Sequence, residues 1–259
     1  MPVSGKKYLL FPARAGGLAL DFILPLRCLC CDARVASRQA LCAACWTDLP
    51  FLERPWCHRL GTPFAYDVGD GAWSPQAIAA PPLFDRLRAV AHYEGPARQL
   101  VLALKFSRRR ELARPMARWM ARSGAEILDP DCLLVPVPLH WTRLLSRRFN
   151  QAADLAREVA LETGAHFEPQ LLRRRRRTRQ QVGLSAQDRR RNVRTAFALD
   201  PERAAAAAGR RIVLVDDVLT TGSTVEACTR RLLAAGAASV DVLTFALADP
   251  ASRSVDRAV

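Results

Sequence analysis

Two adjacent carboxylates followed by a hydroxyl-rich turn are the residues of this chain best suited to chemistry. Asp216 and Asp217 come directly after an apolar run at 212–215. A carboxylate accepts hydrogen bonds and repels anions, so this pair suits the vicinal hydroxyls of a ribose or a hydrated Mg²⁺ ion. The turn contains Thr220, Thr221, Gly222, Ser223 and Thr224. Its hydroxyl and backbone N–H donors suit a phosphate, and the whole pattern predicts a site for a phosphorylated sugar.

A strand and a helix must position these groups. The run at 212–215 is short, β-branched and apolar on both faces, which is typical of a strand in a parallel sheet covered by helices. Ligands of such sheets bind at the carboxyl ends of the strands. Ser223 with Glu226 predicts a capping box, and apolar residues then recur at helical spacing until Gly236. The turn is therefore expected at a helix N-terminus, where the helix dipole favours an anion and Gly222 lets the backbone approach it.

A second strand, loop and helix carries donors for a pyrophosphate group. The apolar run that begins at Leu133 ends in a loop stiffened by prolines, and arginines and amides follow before a helix that ends near Gly164. Guanidinium and amide groups are good donors to phosphate oxygens. The residues predicted to bind pyrophosphate are Val137, Pro138, Leu139, His140 and Arg148. Taken alone, the segment fits a plain strand-to-helix connection with exposed arginines equally well.

Residues 171–197 form the most basic stretch of the chain, with five consecutive arginines at 173–177. This charge density does not suit a buried core. It suits a hood, a mobile segment that closes over an anionic ligand, because such lids belong to the less stable parts of a fold. A solvated surface loop is the alternative that composition leaves open.

The cysteine spacing predicts a metal site. Among eight cysteines, Cys28 and Cys31 form one CxxC pair, and Cys42 and Cys45 form another ten residues later. Two such pairs are typical of a tetrahedral, structural Zn²⁺ site, and a chain expected inside the cell favours metal over disulfides. The residues left open as alternative or additional ligands are Cys30, Cys57 and His58.

Composition limits the function classes. The net charge is +14, from 39 lysines and arginines against 25 acids, which favours polyanionic partners such as single-stranded nucleic acid, although solvated surface arginines explain the same excess. The longest apolar segment, 16–26, is too short to span a bilayer and is interrupted by Asp21. No cleavage site of a signal peptide follows it. These features predict a cytoplasmic protein without integral membrane association.

The length of 259 residues accommodates one α/β core and a small appendage. The predicted organisation places an N-terminal helix and the zinc-binding module in residues 1–60 and a Gly- and Pro-rich linker in 61–84. A parallel sheet flanked by helices follows in 85–250, and 251–259 form a tail. Nothing in the sequence fixes the oligomeric state.

The segment 213–224 resembles the phosphoribosyl pyrophosphate (PRPP) motif of type I phosphoribosyltransferases. In that family the two acids hold the ribose 2′ and 3′ hydroxyls, and the following loop cradles the 5′-phosphate. The resemblance assigns the first role to Asp216 and Asp217 and the second role to 220–224. It also implies that Mg²⁺ accompanies PRPP.

Almost the whole chain, from about Cys28 to Ala248, resembles the ComF family. The motifs that carry this resemblance are the two CxxC pairs and residues 93–96, 104–106, 135–138, 148–152, 181–185 and 189–193. The hood residues that it singles out are Gln181, Leu184, Ser185, Arg189 and Asn192. By family position Lys105 is a candidate anion contact, and a solvated lysine at a helix end is equally consistent with its sequence.

Two departures from the family pattern bear on the site. Leu60 stands where members often have the second cysteine of a third CxxC pair, which leaves the number of metal ions open. The glycine that commonly precedes Phe149 is absent, so the pyrophosphate loop lacks that residue's backbone freedom.

The resemblance implies a zinc-binding module on a type I phosphoribosyltransferase-like domain, in a family linked to DNA uptake during natural transformation. One function is therefore the transfer of a phosphoribosyl group from Mg²⁺–PRPP with release of pyrophosphate. The alternative is a cytoplasmic factor that handles incoming single-stranded DNA without turnover. No residue of the sequence identifies an acceptor or a general base.

Overall fold

The computed structural model describes residues 26–37, 39–106, 109–139, 149–174 and 196–248. By its internal contacts the chain divides into two compact units, one ending at Trp46 and the other beginning at Thr47. Residues 47–84 are therefore part of the second unit. In the first unit, an antiparallel bridge between Arg27 and Arg34 closes a short loop, and helix α1 begins at Ala43. The predicted N-terminal helix and the tail lie outside the described residues.

The second unit is built on strands. They are β1 (Leu87–His92), β2 (Leu133–Pro136), β3 (His166–Phe167), β4 (Leu172–Arg174), β5 (Phe197–Leu199), β6 (Arg211–Leu219) and β7 (Ser239–Leu247). Five of them form a parallel sheet in the order β1-β7-β6-β2-β3, and β4 pairs with β5 in a separate antiparallel hairpin. The predicted α/β fold with a parallel sheet is confirmed.

Helices connect and cover the strands. They are α1 (Ala43–Thr47), α2 (Pro75–Ala79), α3 (Gly95–Phe106), α4 (Ala113–Ser123), α5 (Gln151–Thr163) and α6 (Ser223–Ala234). Short 3-10 turns occur at Arg110–Leu112 and Ala204–Ala207. Helix α5 ends at Gly164 in the left-handed conformation, as glycine at that position favours.

Side chains alternate between the two faces of the sheet along each strand, and both faces are buried because helices pack on each of them. On one face, Ile212 and Leu214 of β6 belong to the core cluster that includes Val225 and Leu232 of α6. On the other face, helices α4 and α5 pack against each other and against β7 and β6, and Phe245 lies 6.1 Å from Trp119 between ring centroids. This two-sided burial explains the continuous apolar run that the sequence shows at 212–215.

The strand order creates a switch point between β6 and β2. From β6 the chain moves outward to β7, and from β2 it moves outward to β3 on the other side. The connections therefore diverge at the carboxyl ends of β6 and β2, where open α/β sheets bind their ligands. The predicted sugar segment and the described part of the predicted pyrophosphate segment, residues 137–139, both lie at this point.

Strand β6 continues beyond the run that the sequence predicts. It pairs with β2 only as far as Val215, but it pairs with β7 to Leu219, and Asp216 lies opposite Thr244. The two carboxylates are thus held within a paired strand and project past the end of β2. Their rigidity comes from β7, which is long enough to support them.

Within the described residues, no helix combines the length and the apolar character needed to cross a membrane.

Candidate functional site

The paired carboxylates at the end of β6 hold a lysine from another part of the chain. Nζ of Lys105, near the end of α3, lies 2.8 Å from Oδ1 of Asp217, and both side chains are largely buried. Lys105 is therefore not the solvated helix-end lysine that the sequence left open. The backbone N–H of Asp217 donates to Oδ1 of Asp216 at 2.8 Å. The two acids and the lysine form one polar cluster at the switch point.

Asp216 has the most perturbed carboxyl group of the site. Burial, followed by the neighbouring charge of Asp217, raises its pKa to about 7, although the positive charges of Lys105 and Arg174 act in the opposite direction. The thiol of Cys228 is fully buried near this carboxyl, and burial together with the charge of Asp216 raises its pKa. Cys228 is thus an inert thiol, whereas Asp216 changes its charge near neutral pH.

The phosphate turn, residues 220–224, leads from β6 into α6. Gly222 adopts a left-handed conformation with φ of 72°, and the space that a Cβ would occupy there is open. Helix α6 begins at Ser223 without a side-chain cap, and the Ser223 hydroxyl lies 2.9 Å from that of Thr221. The predicted capping box is therefore wrong, because Ser223 lies inside the first turn and Glu226 donates its N–H to the Gly222 carbonyl. The first backbone N–H groups of α6 therefore donate to no capping side chain.

The loop after β2 lies beside the carboxyl end of β6. The N–H of Val137 donates to the carbonyl of Val215 at 2.9 Å, and Val137 is buried. Asn150 fixes the loop from the other end, because its Nδ2 donates to the Val137 carbonyl while its Oδ1 caps α5 at the N–H of Ala152. Pro138 and Leu139 follow as half-buried residues, and His140 and Arg148 lie outside the described residues.

An arginine that the sequence did not single out supports this region. Arg110 makes a bidentate ion pair with Asp154 of α5, with distances of 2.8 and 2.7 Å, and its guanidinium lies 5.5 Å from the ring centre of Phe149. The Asp154 carboxylate raises the pKa of Arg110. The pair joins the segment after α3, which carries Lys105, to the helix that follows the pyrophosphate loop. Such partners are distant in sequence, so periodicity does not reveal them.

The hood is described only at its two ends. Arg174 and Phe197 are paired residues of the β4–β5 hairpin, and the guanidinium lies 5.3 Å from the ring centre. This pairing brings together the described residues on either side of 175–195. The positive charge of Arg174 acts to lower the pKa of Asp216. The predicted hood residues Gln181, Leu184, Ser185, Arg189 and Asn192 lie outside the described residues.

The four cysteines of the two CxxC pairs come together in the first unit. The sulfur atoms of Cys28, Cys31, Cys42 and Cys45 all lie within 4.8 Å of one another, and 3.5 Å separates those of Cys31 and Cys42. A tetrahedral Zn²⁺ with bonds of about 2.3 Å requires sulfur separations of about 3.8 Å, so the cluster fits this ion.

Backbone groups support the same cluster. The N–H groups of Cys30 and Cys42 point at the Cys28 sulfur at 3.4 and 3.2 Å, as ligating thiolates require of their surroundings. Among the residues that the structure describes, these four cysteines form the one group of three or more side chains placed to share a metal ion.

Cys57 has a different environment in the second unit. Its buried sulfur accepts N–H groups from Ser74 at 3.1 Å and from Leu60 at 3.4 Å. The N–H of His58 donates to the carbonyl of Ala72. These hydrogen bonds close the segment 57–74 into a knuckle around the single sulfur of Cys57.

Two domain families match the chain, one near its start and the other in its second half. Residues 19–76 match the double zinc ribbon domain, and residues 152–259 match the phosphoribosyl transferase domain. The protein is therefore of the class that carries a zinc ribbon module ahead of a phosphoribosyltransferase-type domain. The ribbon match and the cluster of four cysteines together support a structural zinc ion.

Full-length relatives identify the family. DNA utilization protein YhgH of Salmonella typhimurium is 36% identical over 222 residues, which cover 83% of this chain and 87% of that protein. Competence protein F of Haemophilus influenzae is 28% identical over 229 residues, or 86% of this chain and 97% of that protein. The chain belongs to the ComF family, as its motifs indicate.

Similarity to solved structures is weaker. The alignment with a hypoxanthine phosphoribosyltransferase from Staphylococcus aureus covers 55% of this chain and 66% of the chain of that enzyme. The sequence identity is 13% and the TM-score is 0.34. This overlap supports no conclusion about ligand or activity.

Proposed function

We propose that the second unit binds Mg²⁺–PRPP, or a closely related phosphorylated ribose, at the carboxyl ends of β6 and β2. Asp216 and Asp217 accept the ribose hydroxyls, the phosphate turn binds the 5′-phosphate, and the loop from Val137 to Arg148 binds the pyrophosphate. The observation that supports the proposal is the cluster of Lys105, Asp217 and Asp216 at the switch point, between the two segments that we propose to bind the phosphate groups.

Each half of the site has the charge that its part of the ligand requires. The acids face the uncharged hydroxyls, and the uncapped start of α6 faces the phosphate. Lys105 compensates the two carboxylates, so that the acids remain together in a partly buried place. The bound Mg²⁺ neutralises charge on the pyrophosphate and so makes it a better leaving group.

The reaction we propose is a displacement at C1 of the ribose. The lone pair of an acceptor nitrogen forms a bond to C1 while the bond from C1 to the pyrophosphate oxygen breaks. The bonding electrons leave with pyrophosphate, and the acceptor nitrogen releases its proton to water. Positioning and charge stabilisation account for the catalysis, as expected where the protein forms no covalent bond to the substrate.

Calorimetric titration of Mg²⁺–PRPP into the zinc-loaded protein at fixed salt tests the proposal. We expect saturable binding in the wild type and its loss in the double variant Asp216→Asn/Asp217→Asn. Circular dichroism of the variant confirms that the fold is retained. Absence of binding in the wild type contradicts the proposal.

The positive net charge and the names of similar proteins favour a second function. In this function the protein is a cytoplasmic factor that handles single-stranded DNA during its uptake. The chain carries a net charge of +14, and its relatives are named for DNA utilization and competence. Electrostatic binding of DNA releases counterions, so its affinity falls steeply with salt. Titration of a labelled oligonucleotide between 50 and 200 mM salt, against heparin as a competitor, tests this function. Equal displacement by heparin and by DNA contradicts selectivity for DNA.

A further inference from the structure

A closed chain of contacts links the two acids of β6 to the loop after β2 and back again. On the sugar side, Lys105 at the end of α3 pairs with Asp217 at 2.8 Å. On the pyrophosphate side, the N–H of Val137 donates to the carbonyl of Val215, the residue that precedes the acids, at 2.9 Å. The chain of contacts closes only if the segment after α3 also meets the start of α5.

Arg110 makes that closing contact. It lies in the 3-10 turn that follows α3, and its Nε and Nη2 donate to the carboxylate of Asp154 on α5 at 2.8 and 2.7 Å. The same guanidinium lies 5.5 Å from the ring centre of Phe149, a favourable contact between a cation and an aromatic ring. The next residue, Asn150, donates to the carbonyl of Val137 at 3.2 Å. The turn that carries Arg110 thus holds the helix start that in turn holds the loop after β2.

The ion pair of Arg110 joins a side chain at the surface to a buried one. The Arg110 side chain is 54% exposed, and that of Asp154 is 11% exposed. A pair with one exposed partner adds little to stability. A bidentate pair nevertheless fixes the plane of the guanidinium against the carboxylate, so it sets the orientation of the two segments that it joins. The consequence of this pair is therefore mainly geometric.

This geometry bears on one end of the proposed ligand. In the proposed function, the acids of β6 accept the ribose and the loop that begins at Val137 binds the pyrophosphate. Binding groups act together only when they are held in register, and a small misplacement is costly. Arg110 acts on the pyrophosphate end, because Phe149 and Asn150 lie at the start of α5. The phosphate turn belongs to β6 and α6 instead.

We infer that Arg110 is a positioning residue for the pyrophosphate group: with Asp154 it aligns the start of α5, and through Asn150 the loop after β2, with the acids on β6. The inference rests on the proposed function of this site and deepens it. Arg110 lies outside every segment that the sequence predicted to bind the ligand. It acts through its neighbours and does not need to touch the ligand.

Separate calorimetric titrations of Mg²⁺–pyrophosphate and of ribose 5-phosphate into the zinc-loaded protein test the inference. Pyrophosphate binding should weaken by about tenfold in Arg110→Met and in Asp154→Asn, because each change breaks the pair. Ribose 5-phosphate affinity should change by less than about twofold, because the acids and the phosphate turn stay in place. Circular dichroism of the variants checks that the fold is retained.

Arg118→Met is the matched control. Arg118 lies on α4, its side chain is 50% exposed, and its Nε pairs with Glu162 of α5 at 3.0 Å. This change therefore also removes an arginine and an ion pair with α5, but at the end of the helix away from the loop after β2. Its affinity for pyrophosphate should stay within about twofold of the wild type.

Asp154→Asn separates positioning from simple charge. Loss of Arg110 removes a positive charge, so electrostatics alone would also weaken the binding of an anion. Loss of the Asp154 charge has the opposite electrostatic effect and would strengthen it. Weaker pyrophosphate binding in both variants is therefore the result that positioning explains and charge does not. Tighter binding in Asp154→Asn, equal weakening for both ligands, or the same weakening in Arg118→Met would overturn the inference.

The outcomes also separate the inference from the proposed function. If the wild type binds Mg²⁺–PRPP and both variants bind pyrophosphate as tightly as the wild type does, the inference fails and the proposed function stands. If both variants lose affinity for pyrophosphate but the wild type does not bind Mg²⁺–PRPP, Arg110 positions a diphosphate site and the proposed function fails. A wild type that does not bind Mg²⁺–pyrophosphate contradicts the inference.

Discussion

Replacement of Asp216 by asparagine should stabilise the free protein at pH 8 and leave its stability almost unchanged at pH 4. The carboxyl of Asp216 has a pKa of about 7 in the folded protein because desolvation of this partly buried group, followed by the neighbouring charge of Asp217, disfavours its ionised form. In an unfolded chain the pKa of an aspartate is about 3.9. The folded protein therefore holds this proton more tightly than the unfolded chain does.

The sign of the effect follows from this difference. Between about pH 4 and pH 7 the unfolded chain ionises Asp216 while the folded protein keeps it protonated, so the free energy of unfolding falls as pH rises. Above pH 7 the loss is complete and constant. One pKa unit corresponds to about 1.4 kcal/mol, so the full loss is at most about 4 kcal/mol. Asparagine does not ionise, and its Oδ1 still accepts the N–H of Asp217, so Asp216→Asn avoids the loss.

Urea denaturation of the wild type and of Asp216→Asn at pH 5, 6, 7 and 8 measures the effect. The stability difference should grow with pH up to about 7 and then level off. Asp70→Asn is the matched control, because the Asp70 side chain is fully exposed and its replacement should give no such trend. A stability difference that is the same at pH 5 and pH 8, or an Asp216→Asn variant that is the less stable protein at pH 8, would refute the reasoning.

Three further changes have clear expected results. Lys105→Met leaves the adjacent carboxylates without their ammonium partner. In urea titrations it should lower the free energy of unfolding at pH 8 by about 1–3 kcal/mol. The loss should be smaller at pH 5, where Asp216 is protonated. Gly222→Ala should cost about 1–2 kcal/mol, because φ of 72° strains any residue with a Cβ, and calorimetry should show weaker Mg²⁺–PRPP binding. Cys31→Ser should lose the single zinc ion per chain measured by atomic emission, whereas Cys57→Ser should retain it.

Each of these three predictions would be contradicted by a specific observation. Equal losses at pH 5 and pH 8 in Lys105→Met would mean that the lysine does not stabilise the ionised form of Asp216. Unchanged stability in Gly222→Ala would mean that the turn relaxes to another conformation, since open space alone does not remove the strain at positive φ. Two zinc ions per wild-type chain, or zinc loss in Cys57→Ser, would place Cys57 in a metal site.

Local patterns predicted the parts of the fold that local physics determines. The strand at 212–215 was predicted from a continuous apolar run, and all four residues are buried in β6. The helix after the phosphate turn was expected to end by Gly236, and α6 ends at Ala234. The two CxxC pairs predicted a cluster that the structure brings together. In each case, spacing within about twenty residues carries the information.

Features that depend on distant partners were not predictable. Strand β6 continues to Leu219 because β7 is long enough to pair with it, and nothing between 216 and 219 indicates this. The capping box failed because a left-handed Gly222 begins the helix one residue earlier than the Ser223 pattern requires. The contact between Lys105 and Asp217 joins residues on different elements, and only the topology of the sheet brings them together.

The Gly- and Pro-rich segment at 61–84, predicted as a linker, packs within the second unit. Its residues suit turns, and the structure gives it one isolated bridge, from Pro63 to Trp56, and one short helix. Yet Phe84 is buried in the core, and Gly61 at φ of 61° lies so close to the Leu87 carbonyl that a Cβ would approach its oxygen to 2.5 Å. A loop that packs this tightly belongs to the second unit, whatever its composition.

Leu60 stands where many family members have a cysteine, and as a result the two units should differ in how far their folding depends on zinc. Residues 26–46 gather four thiolates with little apolar core, so their fold follows the supply of zinc. The knuckle around Cys57 is held by N–H groups and apolar packing, which no chelator removes. Zinc starvation should therefore melt the first unit while the sheet, the acids and the phosphate turn persist. A cell short of zinc would keep the phosphoribosyltransferase-type unit of this protein and lose whatever the ribbon contributes.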